Sequence, residues 1–470
     1  MKRFALIVAV FVLATTAAVA AVKPAALFSD NAVLQREMSV PVWGTADNDE
    51  KVTVTFQDQS VSTVAKDGKW MVKLAPMKAG GPFDMTISGS NTIVVKNILI
   101  GEVWVCSGQS NMEFRLTTAS NGAEAIAASA DPKLRLFTVH RNASYVPLTD
   151  VDSSWQPCNP DTVPTFTAVG YFFGRDLRKA LDVPIGLIHS SWGGTFAEAW
   201  TSPDGWKALP SYSQWVSDEW AKKADGPNHP STLYNAMINP LVPYAIKGAI
   251  WYQGEANAGR AFKYRTLFPN MIKSWRAAWG QGDFPFLFVQ LAPWMPTNNG
   301  PQEGTWPELR EAQLLTTKTC PKTGMAVTTD VGNKENIHPT DKEPVGARLA
   351  LAARKIAYGE NIVYSGPIYK GMKTSGDGIT LYFNHVGGGL VAKDGELKGF
   401  TIAGEDRNFV AATAKIVDGN KVVVSSAAVA KPVAVRYGWL NCPDVNLYNA
   451  EGIPASPFRT DDFPMVTANK

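Results

Sequence analysis

Between residues 98 and 364, short apolar runs alternate with stretches of helical period, and on both sides of that interval the helical period disappears. No other feature constrains the fold as much. Strands separated by helices pair in parallel, because a parallel crossover needs a dozen or more residues, and the helices then cover both faces of the sheet. Candidate strands are 102–105, 134–139, 185–189, 249–252, 284–291 and 325–329. Candidate helices are 168–181, 264–279, 307–317 and 345–358, the last with a stripe of Val345, Leu349, Ala352 and Ile356. In such a sheet a ligand sits outside the carboxyl ends of the strands. Ser110, His189, Gln253, Gln290 and Asp330 each lie at or just past a predicted strand end.

The flanks read as β structure. Residues 39–44, 51–56 and 70–74 alternate with period two between Gly, Asp and Asn turns, which predicts a small β-sandwich over 21–97. With no helical period between them, these strands are expected to stand apart from the main sheet. The catalytic unit is expected over 98–364, and a second β-rich region, 365–470, is expected to pack with the N-terminal strands. Lys2 and Arg3 precede an apolar run that ends in Ala18-Val19-Ala20, the pattern of a secretory signal peptide over 1–20. The mature chain is therefore expected to be exported, periplasmic or extracellular, with no membrane span. The formal charge is +3, and cleavage removes Lys2 and Arg3, leaving a nearly neutral chain with no basic cluster for nucleic acid. Cys106, Cys158, Cys320 and Cys442 show no metal spacing, and no metal or other cofactor is expected.

Ser110 carries the chemistry. It lies in Gly108-Gln109-Ser110-Asn111-Met112, directly after the strand that ends near Val105. A serine on the turn leaving a buried strand faces the space above the sheet, and first-turn amides of a helix starting there suit a developing oxyanion. A serine nucleophile needs a base, and the chain has five histidines. His338 stands out in Glu335-Asn336-Ile337-His338-Pro339, a loop between a strand and a helix at the carboxyl end of the sheet. Glu335, three residues earlier, allows one tight loop to present acid and base together. Amide donors for an oxyanion are offered by Ser110 itself, by Gly193 and Gly194 in Trp192-Gly193-Gly194-Thr195, and by the Gln253 side chain. Gln109, Asn111, Trp192, Trp251 and Glu255 flank these motifs and are the candidate substrate contacts, with Trp294 a further sugar-stacking ring.

These motifs resemble the sialate O-acetylesterase family of carbohydrate esterases, within the SGNH (GDSL-like) hydrolase superfamily. The likeness covers nearly the whole mature chain, in family order. It includes Val33-Leu-Gln-Arg36, Pro41-Val-Trp-Gly44, Val103-Trp-Val-Cys-Ser-Gly-Gln-Ser-Asn-Met-Glu113, Ser191-Trp-Gly-Gly-Thr195, Trp251-Tyr-Gln-Gly-Glu255 and Ile337-His-Pro339. The resemblance implies a flavodoxin-like three-layer α/β/α catalytic domain with a β-sandwich accessory region. It implies a metal-independent serine esterase that removes O-acetyl groups from sugars, with Ser110 as nucleophile and His338 as base. Family members often carry aspartates in the loop before this histidine, where this chain has Asn333 and Asn336. Glu335 is then the expected third member, with Asp330 or a Ser–His dyad assisted by a backbone carbonyl as alternatives.

The same catalytic residues serve an acetylesterase of plant cell-wall xyloglucan or xylan, and the motifs do not separate that substrate from sialate. A carbohydrate-binding protein with a decayed site is the non-enzymatic alternative. A general lipase fits less well, since no Gly-x-Ser-x-Gly elbow surrounds Ser110.

Overall fold

In the computed structural model, residues 21–222, 226–296 and 300–469 are described. The expected signal peptide lies outside them. The central sheet runs in the order Trp155–Cys158, Asp131–Thr138, Ile185–Ser191, Thr92–Gly108, Gly248–Tyr252, Phe286–Val289, Thr323–Ala326. All neighbours pair in parallel except the antiparallel edge strand Trp155–Cys158, which the sequence pattern does not reveal. The chain leaves the central strand to one side, returns to pair with it at Ile185–Ser191, and then crosses to the other side at Gly248–Tyr252. Ser110 lies at that point of reversal, where parallel sheets open a crevice.

Strand residues alternate between two cores, as the pleat requires. Val103, Val105, Ala249, Trp251, Phe286 and Phe288 pack with Tyr264, Phe268, Met271 and Trp275 of the Ala261–Trp279 helix and with Leu309 and Ala312 of the Thr305–Thr319 helix. Trp104, Cys106, Ile250, Leu287 and Val289 pack on the opposite face with Phe172, Phe173 and Leu177 of Ala168–Leu181 and Val345, Leu349 and Ala353 of Glu343–Ile356. The expected helix over 168–181 is met residue for residue, starting from Thr167, whose hydroxyl accepts the Gly170 N–H.

The expected boundary between 97 and 98 falls inside one continuous strand, Thr92–Gly108. Its first half pairs antiparallel with Gly80–Ser88, and its middle pairs in parallel with Val33–Gln35. Lys51–Phe56 and Gln59–Val64 extend this ladder, while Lys23–Pro24, Val40–Thr45 and Lys69–Leu74 form a separate three-stranded sheet. The period-two pattern is thus met in the N-terminal region, but several of its strands hydrogen-bond into the same sheet as the catalytic strands. A 17-residue strand gives no breaker at the point where its role changes.

The C-terminal β region has its own core of Ile379, Leu381, Phe400, Ile402, Val422, Val424 and Phe458. Buried polar groups tie it to the rest. Arg310 is fully buried and donates through Nη1 and Nη2 to the carbonyls of Leu440 and Asn441. Glu308 accepts the N–H groups of Val466 and Thr467. Cys106, Cys158 and Cys320 are buried thiols.

Gly108 is a point of close backbone approach between the central strand and its neighbour. Its φ is +138°, and a Cβ there would lie 2.2 Å from the Tyr252 carbonyl oxygen. Replacement by alanine faces both a disfavoured φ and a backbone clash. Gly108→Ala is expected to cost about 3 kcal/mol or more, read as a lower midpoint in urea unfolding.

Candidate active site

Ser110 opens a single helical turn, Ser110–Glu113, directly beyond the central strand. The Gly108 carbonyl accepts the Trp192 N–H at 3.1 Å, and the Gln109 N–H donates to the Tyr252 carbonyl at 3.0 Å. These bonds bring the loops after both neighbouring strands around the serine. The Ser110 hydroxyl and His338 Nε2 are 2.8 Å apart, although 228 residues separate them in the chain. Among the described residues, none of the other four histidines hydrogen-bonds to Ser110. His189 is buried against Phe166, and desolvation pushes its imidazole down to about 4.

The histidine loop is built by its own asparagines. Asn333 Oδ1 accepts the N–H groups of Glu335 and Asn336 at 2.9 and 3.2 Å, and Asn336 Oδ1 accepts the His338 N–H at 2.9 Å. Asn333 and Asn336 therefore serve local turns. Glu335 projects away. Its side chain is 77 % exposed and 3.8 Å from the Lys334 ammonium. Asp330 pairs bidentately with Arg348 at 2.7 and 2.6 Å. Among the described residues, no carboxylate hydrogen-bonds to the His338 imidazole.

The expected oxyanion donors divide. The Ser110 amide is the first N–H of its turn, a position with no intrahelical acceptor. Gly193 lies against the serine, its place for a Cβ only 3.1 Å from Ser110 Cβ, so a larger residue would crowd Ser110. Its N–H donates to Glu113 Oε2 at 2.9 Å, and Arg141 holds the other oxygen of that carboxylate. Gly194 is exposed with φ +74°. Gln253 is fully buried and occupied: Nε2 donates to Thr195 O and Asn257 Oδ1, and Oε1 accepts the Tyr264 hydroxyl. Both of its amide hydrogens are taken, so Gln253 braces the loop under the site.

The expected substrate contacts also separate. Trp192 is half-buried, with the Arg141 guanidinium 5.6 Å over its ring. Trp251 is 1 % exposed and packed among Trp200, Phe268, Trp275 and Phe286, which leaves no face for a sugar. Strand alternation turns it into the core. Trp294 is half-buried beside Trp306. Gln109 is buried and accepts the amides of Gly254 and Ala256 at 3.4 and 3.3 Å. Asn111 is buried next to Ser110: Nδ2 donates to Glu255 Oε1 and to the Ile337 carbonyl, and Oδ1 accepts from Lys342 Nζ.

This assembly of strand-end serine, loop histidine and glycine turn lies within residues 100–355, which match the family model described as carbohydrate esterase, sialic acid-specific acetylesterase. The chain belongs to that family. It is 33 % identical to the sialate O-acetylesterase of Mus musculus over 91 % of this chain and 92 % of the mouse protein. It is 31 % identical to the human sialate O-acetylesterase over 92 % and 91 %. The crystal structure of a carbohydrate acetylesterase from Xanthomonas citri superposes with TM-score 0.87 at 42 % identity, over 94 % of this chain and all of that one.

Three residues around Ser110 and His338 escaped the sequence reading. Glu113 and Arg141 flank Ser110 on the Gly193 side. Glu113 carried a signal, since a residue three places after Ser110 shares its face of a helical turn. Lys342 carried none: a lysine before a helix is ordinarily solvated, yet this one is fully buried. Its Nζ lies 4.8 Å from the Phe114 ring and 5.3 Å from the Tyr252 ring. Desolvation lowers the ammonium to about 7. Desolvation also raises Glu255 above the usual carboxylate range.

His338 is lowered below the ordinary 6.5, first by desolvation and then by the Lys342 charge. A base acts when neutral, so activity rises with pH through the histidine titration. The acid limb of kcat/KM is expected to have its midpoint below 6.5, with about a tenfold loss per pH unit beneath it. A midpoint at or above 6.5 would contradict this.

Proposed function

We propose that this chain is a carbohydrate O-acetylesterase working through a Ser110–His338 dyad. The 2.8 Å hydrogen bond between the Ser110 hydroxyl and His338 Nε2, at the carboxyl end of the central strand, carries this reading. His338 takes the Ser110 proton as Oγ attacks the acetyl carbonyl. The Ser110 amide and the Gly194 amide receive the tetrahedral oxyanion, the Gly193 N–H being held by Glu113. The imidazolium then gives its proton to the leaving sugar oxygen, so the sugar departs as an alcohol and an acetyl-serine remains. Water, deprotonated by His338, attacks that ester, and acetate leaves with Ser110 restored. Glu335 takes no part in this scheme, because its carboxylate faces solvent.

The substrate class follows from the family, whose characterised relatives bear sialate and carbohydrate acetylesterase names. Packing of helices on both faces of a parallel sheet supports reading the catalytic part as an SGNH-type three-layer domain, joined to N-terminal β strands and followed by a β-rich C-terminal region with its own core. The N-terminal pattern supports export, to the periplasm or beyond. No helix of the described residues is long and apolar enough to cross a membrane.

Acetate release by the mature protein tests the reading, on a panel of O-acetylated sialic acid and acetylated xyloglucan and xylan oligosaccharides. Ser110→Ala is expected to lower kcat about a thousandfold. Glu335→Gln is expected to stay within about threefold of wild type, because an exposed charge contributes little. Undiminished release by Ser110→Ala would reject the serine mechanism, and a hundredfold loss in Glu335→Gln would restore the triad.

A further inference from the structure

Asn111 joins the two halves of the site through donors and acceptors that admit one arrangement only. An ammonium can only donate and a carbonyl can only accept. Lys342 Nζ must therefore face Oδ1, at 2.6 Å, and the Ile337 carbonyl must face Nδ2, at 3.0 Å. Nδ2 also donates to Glu255 Oε1 at 2.6 Å. Asn111 directly follows the nucleophile and Ile337 directly precedes the base, so this one amide ties both reacting groups together. The Ile337 carbonyl and Glu255 take the Nδ2 end, and Lys342 holds the Oδ1 end, so the amide is gripped from both sides.

Burying this ammonium is costly, and its compensation is incomplete. Asn111 and two aromatic faces surround it, and Glu255 attracts it without reaching ion-pair distance. Glu255 Oε2 is itself buried without a hydrogen-bond partner. Such buried charge is retained at sites more often than in plain cores.

We propose that Lys342, acting through Asn111, is the positioning residue that holds the nucleophile turn against the histidine loop and keeps a positive charge beside the imidazole. The inference rests on the Ser110–His338 reading. The charges facing this cluster are Glu255 from the loop after Gly248–Tyr252, Asp341 from the lysine's own loop, and Glu113, paired with Arg141, beside Ser110. The Tyr252 phenol faces it from the sheet. The imidazole is lowered by desolvation and then by the Lys342 charge, so removing that charge raises the histidine toward its ordinary value.

Lys342→Met keeps the apolar stem and deletes the charge and the donor. Acetate release across pH, together with thermal unfolding, tests it. The acid limb is expected to move to higher pH. On the plateau, kcat is expected to fall tenfold or more, with KM within about twofold. The unfolding temperature is expected to hold or rise, because a buried charge is gone. A folded variant with an unmoved limb and kcat within about twofold overturns the proposal. A lowered unfolding temperature with an unmoved limb assigns Lys342 to the fold alone and overturns it too. If Lys342→Met does not fold, Asn111→Asp takes its place: it keeps an acceptor for Lys342 and loses the N–H that holds Ile337. Unchanged kcat in that variant overturns the proposal. Wild-type activity that survives Ser110→Ala would instead reject the underlying dyad and is distinct from either outcome.

Discussion

The contact of Gly108 with Tyr252 is the constraint on which the site depends. At this point the central strand has no room for a side chain, so its backbone lies directly against the neighbouring strand. The next residue donates to the Tyr252 carbonyl, and the Gly108 carbonyl accepts from Trp192. Two loops that begin on opposite sides of the central strand are thereby anchored to the turn carrying Ser110. The position of Ser110 is a consequence of sheet register, which is rigid, and not of loop conformation, which is less so.

Electrostatics around that turn is asymmetric. Glu113 with Arg141 lies toward Gly193, and Lys342 with Glu255 lies toward the histidine loop, bridged by Asn111. Among the described residues, the imidazole itself meets a cation and no carboxylate. A base of this kind is weaker than one backed by an acid, yet it stays neutral to lower pH and surrenders its proton readily to a leaving alkoxide. Oxyanion stabilisation then has more of the barrier to lower, which fits a serine on the first turn beyond a strand.

Much of this was legible. The alternation of apolar runs with helical stripes located six strands of the parallel sheet and its four long helices, because backbone periodicity is a local property. Ser110 and His338 were legible because strand ends in parallel sheets converge. The edge strand Trp155–Cys158 was missed: four residues containing a proline carry no periodic signal. The long strand Thr92–Gly108 was read as two regions, since hydrogen-bond partners can change along a strand without any change in its residues. Trp251 and Gln253 follow one another in sequence order around Tyr252, and both read as site residues. The pleat put the tryptophan in the core, and neighbouring loops occupied every polar atom of the glutamine side chain.

The sequence by itself determined the parallel sheet, the serine at the end of its central strand and the histidine in the loop that reaches it. These follow from local pattern and from the rule that such sheets open at their carboxyl ends. The tertiary structure alone decided which side chains partner them. Glu335 lay within reach by spacing and turned to solvent, while Lys342, unremarkable in the chain, became buried against Asn111. Partner choice is a competition among groups brought together from more than two hundred residues apart, and no local period encodes its outcome.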